Sequence, residues 1–217
     1  TLKMSFGGQD QPEQEIQQEL MGTVVTPDGL TLMPLSQFDP SGMLQKLYGA
    51  RAAEFQMDTR VKDIMLIVDK KKEIKAREIL RDPDLDIALF KPVEDPKESM
   101  ICIDIRNTAE PGLLERVIAL GRLGRVGDRE TSVMTGEIQS IIHKPRTFYV
   151  PSSELASGGL ALPIFNVRRE LIGFVSMRVF ASDANMHFAM GQGNELAIIL
   201  PASDVQEMVV QAREDTE

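Results

Sequence analysis

Acyl transfer needs a serine hydroxyl to attack, a base to take its proton, a carboxylate to orient that base, and backbone N–H donors for the oxyanion. Candidates for each part are present in this chain. Asp86 is the candidate carboxylate, set in Arg81-Asp82-Pro83-Asp84-Leu85-Asp86-Ile87-Ala88-Leu89-Phe90-Lys91. An acid just before a buried strand also has a plainer use as a turn or capping residue. The chain has 2 histidines, His143 and His187, and both follow Asp86. Ser157-Gly158-Gly159 is a candidate nucleophile loop, so Asp86, His143 and Ser157 form one conceivable set. His143 follows an apolar run and precedes Lys144-Pro145-Arg146, which suits a strand-end loop. His187 sits in the insertion-like run Ser182-Asp183-Ala184-Asn185-Met186-His187, which reads as an exposed loop.

Other site chemistries have weaker support. Two separated histidines and one cysteine make no ligand pattern, so no metal is expected. Gly121-Arg122-Leu123-Gly124-Arg125-Val126-Gly127 lacks the Lys-Ser/Thr ending and following helix of a phosphate loop, and no cofactor is expected. The net charge of −9 argues against nucleic acid, which needs a basic face. No apolar stretch has the length of a membrane helix, so membrane insertion is not expected. Cys102 lies in Met100-Ile101-Cys102-Ile103 and reads as a buried, inert thiol.

At 217 residues, with 42% hydrophobic and 26% charged, the chain suits one large domain or two small ones sharing a core. Aromatics are only 5% and Trp is absent, so Leu, Ile, Val and Met must fill that core. Residues 7–19 are polar and read as a flexible lead-in ending in a short helix through Ile16 and Leu20. Residues 20–25 and 30–33 read as strands around Thr26-Pro27-Asp28-Gly29, a strong hairpin turn. Leu44, Leu47, Tyr48 and Arg51-Ala52-Ala53 have helical spacing, predicting an inserted helical loop over 39–57. Further strands are predicted over 63–68, 73–80, 87–90, 101–105, 116–120, 137–142, 161–165, 171–179 and 196–200. Lys70-Lys71-Lys72 reads as a hairpin turn and 92–99 as a linker. A closing helix is predicted over 203–213, with Ser203 as N-cap and Val205, Met208, Val209 and Ala212 on one face. Many short strands and one terminal helix indicate an all-β barrel or sandwich.

The Asp82-Pro83…Asp86-Ile87-Ala88-Leu89-Phe90-Lys91 stretch resembles DP-x-x-DIALLK, which carries the catalytic aspartate of trypsin-like serine proteases of the HtrA (Deg) type. Other segments resemble the same family in order. Met21 to Leu32 is similar to its first hairpin, Val117-Ile118-Ala119-Leu120-Gly121 to V-x-A-I-G, and Thr135 to Ser140 to T-x-G-I-V-S. Asn166 to Gly173 is similar to N-x-x-G-E-V-I-G, and Ala197 to Ala202 to G-F-A-I-P-x. The resemblance covers most of the chain from Gly22 onward. It implies two six-stranded antiparallel β-barrels and a C-terminal α-helix, with a lead-in over 1–19, an N-terminal barrel over 20–98, and a C-terminal barrel plus helix over 99–217.

The resemblance also implies that the chemistry has been lost. Counted from Asp28-Gly29, the family's histidine falls on Ser36. A serine hydroxyl does not titrate near neutral pH and cannot replace that base. Counted back from Pro163, G-N-S-G-G-P becomes Gly158-Gly159-Leu160-Ala161-Leu162-Pro163, which puts Leu160 at the nucleophile and Ala161 at the next glycine. The triad-equivalent positions are thus Ser36, Asp86 and Leu160. The resemblance then implies a degenerate protease domain that binds a protein or peptide, with Val175, Ser176, Met177 and Arg178 as the strand edge for an extended segment. The alternatives are an active hydrolase with a displaced nucleophile at Ser157, and a purely structural module of an assembly. Family members commonly trimerise and carry a PDZ domain. A homo-oligomer and an extracytoplasmic setting are compatible expectations, and no PDZ domain is expected within these residues. The start at Thr1 is compatible with a removed leader.

Overall fold

The computed structural model describes residues 2–7, 16–49, 60–68, 72–179 and 195–214. Their strands form two antiparallel systems. The first is a curled sheet of seven strands, built from β1 (Leu2–Gly7), β2 (Ile16–Leu20), β3 (Thr23–Val24), β4 (Thr31–Pro34), β5 (Arg60–Val68), β6 (Lys72–Asp82) and β7 (Ile87–Pro92), in the order β2-β1-β5-β6-β7-β4-β3. The second is a closed barrel of β8 (Arg116–Arg122), β9 (Thr131–Ile142), β10 (Phe148–Pro151), β11 (Pro163–Asn166), β12 (Leu171–Val179) and β13 (Glu195–Pro201), in the order β10-β13-β12-β11-β8-β9. The α-helices among the described residues are α1 (Ser41–Tyr48), the short α2 (Ser153–Ala156) and the closing α3 (Ala202–Glu214). This is the two-barrel trypsin-like architecture with a C-terminal helix. Its first half is open and carries one more strand than a six-stranded barrel.

Local chemistry accounts for the hairpin between β3 and β4. Gly29 takes φ of 90°, a value that suits a residue without a Cβ. Thr26 closes the turn from both sides: its carbonyl accepts from the Gly29 amide at 3.0 Å and its hydroxyl from the Leu30 amide at 3.1 Å. The Thr26 hydroxyl itself donates to the Asp28 carboxylate.

The strands next to the site are buried on both faces, which explains their unbroken apolar runs. Along β7, Ile87 and Leu89 join the core between the two halves, while Ala88 and Phe90 join the interior of the first sheet. Strand β4 divides the same way at Leu32 and Met33. In the second barrel Phe174 and Leu200 face the shared core, whereas Val175 and Ile199 face the barrel interior. Helix α3 seals the shared core with Val205, Met208, Val209 and Ala212, the face predicted from its spacing. Each fully buried side chain of Leu or Phe size contributes about 1.5–3 kcal/mol, so this shared cluster, to which β7, β12, β13 and α3 all contribute, holds the two halves together.

Several expectations are corrected. Residues Leu2–Gly7 and Ile16–Leu20 are paired strands, and Leu20 to Ile16 run antiparallel to Leu2 to Phe6. The helix expected through Ile16 and Leu20 is therefore absent, because pairing with β1 satisfies that backbone instead. Residues 101–105 are not a strand: Ile101 is 97% exposed, and Asp104 caps a local turn by accepting the Arg106 amide at 3.0 Å. Cys102 in that segment is only half-buried. Strand β10 and helix α2 were not anticipated; Pro145 and Pro151 punctuate that stretch as though it were loop. Lys70, Lys71, the 50–57 part of the predicted helical loop, and His187 lie outside the described residues.

Candidate functional site

Asp86 precedes β7 in a left-handed conformation, φ 56°, which aspartate tolerates better than most residues. The β4–β7 register pairs Pro34 with Ile87. That register sets the one-turn helix after β4, Leu35–Gln37, directly beside Asp86. The Leu35 amide donates to the Asp86 carbonyl at 3.1 Å. The Asp86 side chain is then claimed from both halves of the molecule. The Ser36 amide donates to Oδ1 at 2.7 Å, the Ser36 hydroxyl to Oδ2 at 2.9 Å, and the Ser176 hydroxyl of β12 to Oδ2 at 3.0 Å.

An ionised carboxylate can only accept, so three donors fit it well. Burial still dominates and pushes the Asp86 carboxyl above its ordinary value; hydrogen bonds from Ser36, Ser176 and the Met177 amide offset this only in part. The consequence for stability has a definite sign. A carboxyl whose folded pKa is raised binds its proton more tightly when folded, so its contribution is greatest at low pH. That contribution is lost as pH rises from the ordinary aspartate value of 3.8 through the raised folded value. Measured by denaturant unfolding, the wild-type minus Asp86→Asn difference in stability should fall across that window and then level off. A flat difference would contradict the assignment.

A cavity of about 60 Å³ opens beside Asp86. Ser36 and Asp86 form one wall, Met43 and Lys46 of α1 another, and Met177 and Val179 of β12 a third. Strand β12 outruns its neighbour here. Its pairing with β11 ends where Pro163 meets Phe174. Val175 then accepts the Ala161 amide at 2.8 Å and donates to the Leu162 carbonyl at 2.9 Å. From Ser176 to Val179 the β11 side of β12 has no strand partner among the described residues, while the other side stays paired to β13 as far as Val179 with Glu195. The edge expected over Val175 to Arg178 is thus narrowed: Val175 is already committed, and the Met177 amide is spent on the Asp86 carboxylate. The Arg178 guanidinium lies over the Phe148 ring, 5.3 Å from its centre.

The other candidate residues lie elsewhere. Leu160 is half-buried against the interior core of the second barrel and does not line the cavity. Ala161 is held at φ 64° by its Val175 bond and by the Thr23 hydroxyl, which donates to its carbonyl at 2.7 Å. Ser157 is exposed at the end of α2, its hydroxyl donating to the Glu154 carbonyl at 2.9 Å. His143 is exposed in the β9–β10 loop. The structure therefore unites Ser36, Asp86 and Ser176, with no hydrogen bond from Ser157 or His143 to any of them. Among the described residues no group of three or more His, Cys, Asp or Glu is placed to hold a metal ion.

Sequence reasoning marked Ser176 only as backbone edge and missed its hydroxyl as a donor to Asp86. A serine inside an apolar strand run was the single available signal, since fully buried hydroxyls need a partner.

No family model matches the sequence, and no curated protein matches it. Among solved structures the chain is similar to the protease domain of MamO from Magnetospirillum magneticum in its apo form. The TM-score is 0.54 at 15% identity, covering 95% of this chain and 94% of that one. At that identity the likeness establishes the trypsin-like fold.

Proposed function

We propose that this domain binds an extended segment of a protein partner along the open side of β12, and that it does no acyl-transfer chemistry. The observation that carries this reading is the stretch from Ser176 to Val179, a strand edge that no strand among the described residues pairs with, beside an opening next to Asp86. An incoming segment can pair with such an edge through main-chain hydrogen bonds, with neighbouring pockets sorting its side chains. Loss of the chemistry is supported by the residues around it. Ser36 occupies the position from which a base would reach Asp86, and its hydroxyl cannot accept a proton near neutral pH. Leu160 is packed against the barrel core, which suits a filler better than a reacting group. Asp86 then joins the β4–β7 corner to β12. The alternative nucleophile, Ser157, donates its hydroxyl to the Glu154 carbonyl, and among the described residues no histidine is hydrogen-bonded to it.

The test uses carboxymethylated, permanently unfolded α-lactalbumin as a source of extended segments. Amide exchange of residues 171–179 should slow when this probe is in excess, and the probe should remain intact on a gel. Unchanged exchange across β12, or progressive cleavage of the probe, would refute the reading.

A further inference from the structure

We infer that helix α1 is a latch across the open side of β12, which must swing aside before an extended segment can pair there. This rests on the reading of β12 as a binding edge. The opening between α1 and Met177 to Val179 is about 60 Å³. That space takes a few water molecules and falls far short of the roughly 300 Å³ of even a small ligand site. An added strand would run roughly 4.8 Å from β12, in the space that Met43 and Lys46 now border. In the closed arrangement the edge and the segment therefore compete with α1.

The attachment of α1 is built to release. The helix has eight residues, too few to be stable without support from its surroundings. Met43 and Leu44 are only half-buried and belong to none of the buried core clusters. Two polar tethers hold it near the edge. Lys46 donates to the Pro83 carbonyl at 3.4 Å, and Asp39, just before the helix, pairs with Arg81 at 2.8 Å. Asp39 also accepts the Ser41 amide at 3.2 Å, an Asx turn where the chain enters the helix. At the other end Gly49 has φ 56°, and a Cβ there would meet nothing within 4 Å among the described residues, so a residue without a Cβ allows the backbone to turn there at little steric cost. A site whose competent state is a minor one binds with an affinity reduced by that fraction, and loosening the latch restores it.

The experiment compares wild type with Asp39→Ala/Lys46→Ala, which removes both tethers from exposed or half-buried positions. Amide exchange of residues 41–49 without ligand reports the latch, and anisotropy with fluorescein-labelled, carboxymethylated α-lactalbumin reports the edge. Exchange about tenfold faster, with binding about tenfold tighter, is the expected result. Faster exchange with unchanged binding to both proteins would overturn the latch while leaving the edge reading intact. Faster exchange with no binding to either protein would overturn the edge reading, and the latch with it. Unchanged exchange would mean that these tethers do not hold α1, and would also overturn the latch.

Discussion

Asp86→Ala should lower the stability of the domain by about 3 kcal/mol, seen in thermal unfolding as a fall of roughly 6–12 °C for a chain of this size. The loss comes from what remains behind. Without the carboxylate, the Ser36 amide, the Ser36 hydroxyl and the Ser176 hydroxyl all lose their acceptor, and Ser176 is buried. An orphaned buried donor costs about 1–3 kcal/mol, and the Ser36 hydroxyl, next to the cavity, can turn toward water. Asp86→Asn keeps one oxygen to accept and should cost about 1 kcal/mol. Asp86→Ala/Ser176→Ala removes both ends of the cross-barrel bond and should recover part of the loss relative to the single alanine variant. A midpoint within about a degree of wild type for Asp86→Ala would mean that the corner is not held by this carboxylate.

Gly173→Ala is expected to be at least as damaging. A Cβ at Gly173 would lie 1.9 Å from the Leu200 carbonyl oxygen and 2.8 Å from its carbon. These are backbone atoms and cannot rotate away, so β12 and β13 must separate where Gly173 faces Pro201. Overpacking of this kind costs about 3 kcal/mol or more. The strain would act three residues from Ser176, so loss of stability should come with faster amide exchange through the Asp86 corner. Gly112→Ala is the control: a Cβ there would have only Glu115 Oε2 nearby, at 3.8 Å, and its effect should stay within about 0.5 kcal/mol. Equal stability of the two variants would mean that β12 and β13 are less closely apposed than described.

These two results probe features that the sequence disclosed unequally. The turn at Thr26 to Gly29 was legible because proline, aspartate and glycine each have a fixed use in turns. Strands β4, β7, β12 and β13 were legible because strands buried on both faces read as continuous apolar runs, and α3 because its apolar spacing follows the helical period. Strand β2 was not, since Gln17, Gln18 and Glu19 lack the pattern of a half-buried strand and gain their structure from pairing with β1. Residues 101–105 misled in the opposite direction: their apolar run carries an almost fully exposed Ile101.

The site was less legible than the fold. Ser36 and Asp86 are 50 positions apart, and only a family resemblance linked them before the β4–β7 register did. Ser176 lies 90 positions beyond Asp86 and has no local feature that announces a bond to it. The part of α1 in walling the cavity was unreadable for the same reason, because spacing predicts a helix but not its neighbour.

The most direct test of the central claim is intact mass after incubation of the folded protein with a fluorophosphonate, which modifies only serines activated as nucleophiles. The account predicts no adduct. The Ser157 hydroxyl donates to the Glu154 carbonyl and the Ser36 hydroxyl to the Asp86 carboxylate, and neither acceptor takes up a serine proton near neutral pH as a histidine would. A single adduct mapping to Ser157 or Ser36 would contradict it and make the domain a serine hydrolase.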